Sequence, residues 1–142
     1  MEIIVVDASV IVKWYIIEED REKSLKIRED YIGGRFKLAA PAILPFEVLN
    51  AIRFSRRDLA PSTLKSIAES LTLYGIELYQ LTGKYRELTI DASYQNKISI
   101  YDASYVALAK LLNTILYTAD QRLINSLTND YKKYVKHIRE YD

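Results

Sequence analysis

The run Ile3-Ile4-Val5-Val6, closed by Asp7, restricts the fold of this chain more than any other feature. Four apolar residues without alternation read as a strand buried on both faces, as in a parallel sheet covered by helices. A second run, Ile115-Leu116-Tyr117-Thr118, is followed closely by Asp120. Both carboxylates therefore fall at or just beyond the C-terminal end of a buried strand, the edge where open parallel sheets place ligands.

Apolar runs of strand length alternate with stretches of helical period along the rest of the chain, the pattern of an α/β domain. Further strands are expected near Lys37 to Ala39, Glu77 to Gln80, Thr114 to Tyr117 and Val135 to His137. The period predicts helices from Ser9 to Ile16 and from Arg21 to Tyr31, the latter ending at Gly33-Gly34. Pro41 and Pro45 are expected to open a third helix, which continues through Arg53, because proline is tolerated in a first turn. Others are expected from Ala60-Pro61 to Tyr74, stopped by Gly75, from Thr82-Gly83 to about Gln95, and from Asp102 to Leu112. No linker or low-complexity tract interrupts the 142 residues, which suit a single domain over 1–142.

A hydrophobic content of 49% and a charged content of 27% exclude a disordered chain. The net charge of +1 leaves no strong overall field, so nucleic-acid binding would have to come from local patches or from metal. There is no cysteine, which removes disulfides, thiolate metal sites and cysteine nucleophiles and fits a reducing cytoplasm. The N-terminus carries neither a basic leader nor a long apolar span, so no signal peptide or membrane helix is expected.

Two more acids belong with the strand-end pair. Glu47 and Asp102 fall early in expected helices, and short right-handed connections let all four gather above one sheet edge. Like charges 4 Å apart cost roughly 4 kcal/mol at an effective dielectric of about 20, so such a cluster needs a cation or must protonate in part. An all-oxygen set in a chain with one histidine favours Mg²⁺ or Mn²⁺ over zinc. Ser9 and Thr118 lie two residues from Asp7 and Asp120, and Asn50 lies one helical turn beyond Glu47; each is suited to orient a carboxylate or a metal-bound water. Any one of the acids alone reads more readily as a helix cap or turn residue, and only the combination reverses that.

Four segments in order carry a family resemblance: Val5-Val6-Asp7-Ala8-Ser9, Pro45-Phe46-Glu47-Val48-Leu49-Asn50, Tyr101-Asp102-Ala103-Ser104-Tyr105-Val106-Ala107-Leu108-Ala109, and Tyr117-Thr118-Ala119-Asp120-Gln121-Arg122-Leu123. The chain resembles the PIN-domain ribonucleases, and among them the toxin halves of VapBC toxin-antitoxin pairs. The resemblance covers essentially the whole sequence. It implies a three-layer α/β/α fold around a mainly parallel sheet of about five strands. It implies metal-dependent hydrolysis of RNA by Asp7, Glu47, Asp102 and Asp120, all four also metal ligands or water-mediated partners, with Ser9, Asn50 and Thr118 as accessory groups. Mg²⁺ or Mn²⁺, an RNA substrate, a VapB-type antitoxin, a homodimer and a cytoplasmic location follow from the same likeness. A housekeeping RNA-processing nuclease and a non-catalytic module holding a structural ion are the alternatives. A haloacid-dehalogenase-like phosphatase would need a second aspartate where Ser9 stands.

Asp-Ala-Ser occurs at Asp7, Asp91 and Asp102, and the last two extend to Asp-Ala-Ser-Tyr. Asp102 fits the acidic set because an apolar helix and the strand before Asp120 follow it, whereas Asp91 falls in mid-helix, facing solvent. Arg53, Arg56 and Arg57, beyond Glu47 on the same helix, are candidates for phosphate contacts or, equally, a solvated helix end. Of the 12 tyrosines, Tyr15 and Tyr101 lie best for base stacking, although core packing explains most of the others. Trp14 reads as a packing anchor, His137 as structural, and Lys132, Lys133 and Lys136 as solvated.

Overall fold

The computed structural model describes residues 2–142. The apolar runs become strands β1 (Ile3–Val6), β2 (Lys37–Pro41), β3 (Glu77–Tyr79), β4 (Leu116–Thr118) and β5 (Val135–His137). Every pairing is parallel, and the order across the sheet is β3-β2-β1-β4-β5. Val5, Val6, Leu38, Ala39, Ala40 and Leu116 are fully buried, as strands with both faces covered require. The sheet is the middle layer of an α/β/α sandwich.

Helices α1 (Ala8–Val12), α2 (Arg21–Ile32), α3 (Leu44–Ser55), α4 (Pro61–Leu73), α5 (Gly83–Asn96), α6 (Ile100–Leu111), α7 (Gln121–Ser126) and α8 (Asn129–Lys132) make the outer layers. Helix α6 is buried from Ala103 through Ala109; it packs across β1, β2 and β4 and carries α5 on its other side. Among the described residues, no helix is long and apolar enough to cross a membrane.

Three sequence expectations need correction. Pro41 does not open α3; it ends β2 opposite Tyr79, a position where its missing N–H costs no central ladder bond. Pro45 does lie in the first turn of α3. The helix expected from Ser9 to Ile16 is regular only to Val12, because the amides of Lys13, Trp14 and Tyr15 tighten onto carbonyls three residues back. Helix α6 starts two residues before Asp102, where the Ser99 hydroxyl caps it by accepting from the Asp102 amide at 3.0 Å.

The chain builds outward from β1 to β2 and β3, then α5 and α6 return it to the other side of β1, where β4 and β5 are added. The direction of construction reverses between β1 and β4. A crevice opens beyond the carboxyl ends of strands at such a reversal. Asp7 and Asp120 follow these two strands.

Candidate active site at the sheet edge

Asp7 leaves β1 in extended conformation as the N-cap residue of α1 and is only 7% exposed. Hydroxyls hold both of its oxygens. Ser9 Oγ donates to Oδ1 and Thr118 Oγ1 to Oδ2, each at 2.5 Å. The same hydroxyl oxygens accept from the connection after β4: Ser9 Oγ from the Ala119 amide at 2.9 Å and Thr118 Oγ1 from the Asp120 amide at 3.0 Å. Two hydroxyl relays thus tie the end of β1 to the end of β4 through the Asp7 carboxylate.

Burial pushes the Asp7 carboxyl up to about 6; the two hydroxyl bonds oppose the rise and the charge of Asp120 adds to it. Asp120 caps α7, its Oδ1 accepting from the amides of Arg122 at 3.0 Å and Leu123 at 3.3 Å. Asp102, in the first turn of α6, is also raised, first by burial and then by Asp120, against the Ser99 hydrogen bond and the Arg122 charge. Asp120 is therefore the electrostatic link between Asp7 and Asp102. Glu47, in the first turn of α3, reaches the same neighbourhood through Tyr105, whose hydroxyl donates to Glu47 Oε1 at 2.6 Å. Burial drives the Tyr105 phenol well above its usual range, with Glu47 and then Asp7 adding to the effect. A PIN-domain family model matches residues 4–126, a span that includes all four acids. The chain belongs to the PIN-domain family.

Solved structures share the fold of this PIN domain. PAE2754 from Pyrobaculum aerophilum superposes with a TM-score of 0.62 at 21% identity, over 97% of this chain and 85% of its own. FitAB, solved bound to an IR36 DNA fragment, gives 0.68 at 15% identity, over 98% and 97%. No curated protein matches the sequence.

Among the described residues, no three carboxylate or imidazole groups are arranged to enclose a metal ion. Protein partners hold the acids instead: Asp7 by its two hydroxyls, Asp120 by the α7 amides, Glu47 by Tyr105. The donor chemistry fits a hard divalent cation. Every acid in the group offers oxygen, the chain has no cysteine, and its one histidine, His137, is spent capping a 3-10 turn over Ile138–Glu140.

Tyr105 is the residue that sequence reasoning missed. It lies three positions after Asp102 and so on the same side of α6, yet Asp91-Ala-Ser-Tyr94 has identical spacing. Asp91 and Tyr94 are exposed on α5, Tyr94 at 79%. What distinguishes the two tetrapeptides is the buried run that follows Tyr105.

Asn50, exposed on α3, shares with Glu47, Phe46, Ile43 and Tyr101 a cleft of about 340 Å³. Arg53 and Arg57 flank the Phe54 ring, their guanidinium carbons 5.0 and 5.5 Å from its centroid, and line a groove of about 490 Å³ between α3 and α4. Arg56 pairs instead with Asp58 at 3.4 Å. Tyr15 bonds to Ser70 at 2.9 Å, and Trp14 is buried, its indole N–H donating to the Ser24 carbonyl at 3.0 Å.

Proposed function

We propose that this PIN domain, a single domain over 1–142, is a Mg²⁺- or Mn²⁺-dependent endoribonuclease and the toxin of a VapBC-type pair. The observation that carries the reading is the buried, hydroxyl-held Asp7 with Asp120 and Asp102 around it at the sheet's reversal point. Asp7, Asp102 and Asp120 would hold the cation, and Glu47 would complete the set directly or through water. When bound, a divalent cation neutralises charge developing at the scissile phosphate and makes hydroxide available near neutral pH.

The protein's own part is orientation and proton handling. Ser9 and Thr118 fix the plane of the Asp7 carboxylate, as outer partners of a ligand do. Tyr105 holds Glu47 by Oε1, which leaves Oε2 to accept a proton from the attacking water. Arg53 and Arg57 contact phosphates flanking the cleavage site. Tyr105→Phe is expected to lower metal-dependent turnover about 10- to 100-fold and to change stability by only about 1 kcal/mol. Unchanged turnover would remove Tyr105 from the machinery.

A cognate VapB-type antitoxin and a homodimer are part of the same proposal, as is a cytoplasmic location. An apolar cleft of about 310 Å³ between α3 and α4, lined by Leu44, Leu49, Leu71 and Leu78 among others, offers a partner a surface on the helix that carries Glu47. The test is incubation of antitoxin-free protein with single-stranded RNA in Mg²⁺ or Mn²⁺, with an EDTA arm. Cleavage that EDTA abolishes is expected; no cleavage of any single-stranded RNA with either metal overturns the reading.

A further inference from the structure

Two large aromatic side chains stand in solvent beside the acids, and packing accounts for neither. Phe46 is 72% exposed and directly precedes Glu47; Tyr101 is 60% exposed and directly precedes Asp102. They come from different helices, α3 and α6, yet line one cleft with Glu47 and Asn50. From the geometry we infer that this cleft is a base-binding subsite: it takes one unpaired nucleobase of the RNA between the Phe46 and Tyr101 rings, next to the phosphate that is cut. The inference rests on the nuclease reading above and names the form of its substrate.

The surroundings select a nucleotide over an apolar side chain. Phe46, Asn50 and Arg53 fall at i, i+4 and i+7 of α3 and share one face, so ring, amide and guanidinium follow each other over roughly 10 Å. The Asn50 amide offers a donor and an acceptor to a base edge. Arg53, which makes no ion pair among the described residues, supplies positive charge to the next phosphate. Ring, amide and guanidinium in that order match the face, edge and phosphate of a nucleotide. Stacking on an aromatic ring requires a base free of its duplex, so the subsite admits single strands and loops and rejects paired RNA.

The test measures binding without chemistry. A fluorescein-labelled single-stranded RNA octamer of mixed sequence, its duplex, and a series with one abasic position moved along it are titrated with full-length, antitoxin-free protein in EDTA. Phe46→Ala and Tyr101→Ala should each weaken single-strand binding about fivefold to a hundredfold, while Tyr101→Phe, which keeps the ring, stays within about twofold of wild type. One abasic position should weaken wild-type binding and cost nothing further in Phe46→Ala.

Both alanine variants binding and cleaving like a wild type that cleaves RNA would overturn this inference and leave the nuclease reading standing. A wild type that neither binds nor cleaves would end both. Duplex bound as tightly as single strand, or a changed oligomeric state in either variant, would make the cleft something other than a base site.

Discussion

Near pH 8 in EDTA, Asp7→Asn is expected to resist urea better than the wild type, by up to about 3 kcal/mol, and in Mg²⁺ to show none of the wild type's nuclease activity. Burial lifts the Asp7 carboxyl from an ordinary 3.8 to about 6, so the folded protein holds this proton more firmly than the unfolded chain does. The contribution to stability is complete below the unfolded value of 3.8 and is lost as pH rises through about 6. Above that range the wild type carries a buried charge that hydroxyl bonds offset only in part, and asparagine does not. The advantage of Asp7→Asn should therefore vanish towards pH 4. Divalent cation should reverse the order at high pH, because a ligand that binds only the folded wild type stabilises it by mass action. Urea curves at several pH values, with and without Mg²⁺, provide the check; an Asp7→Asn protein less stable than wild type at pH 8 in EDTA would mean that the burial penalty is not real.

The second large effect separates two identical tetrapeptides. Asp102→Asn is expected to reduce RNA cleavage by more than about a hundredfold, beyond the loss typical of an outer partner, while Asp91→Asn cleaves as the wild type does. Asp102 is raised by burial and by Asp120, whereas Asp91 faces solvent on α5. A cleavage assay giving the opposite pattern would move the site to the other helix.

Strand β1 was readable to the residue because a short, uninterrupted apolar run has few other solutions. Pro41 was not. A proline beside a second proline four positions on looks like a helix start, and only the pairing of β2 with β3 decides otherwise. Helices α7 and α8 escaped because they are too short for a helical period to register. The neighbourhood of the acids was legible from strand ends and from the order of the motifs. Their detailed arrangement was not, since it depends on which hydroxyl each carboxylate finds: Tyr105 reaches Glu47 from a helix 58 residues further along the chain. Nor does periodicity tell an exposed ring from a buried one. Tyr15 and Tyr101 looked alike in sequence, and one is bonded to Ser70 while the other stands free in the cleft.

The two hydroxyl relays make the site report on itself. The amides of Ala119 and Asp120 donate only to oxygens that are themselves committed to Asp7. Fraying of the β4–α7 junction, which draws Asp7 away, reorients those hydroxyls and disturbs both amides. Two backbone resonances outside the reacting groups thus become a gauge of whether the reaction centre is assembled, readable in a protein that is cutting nothing.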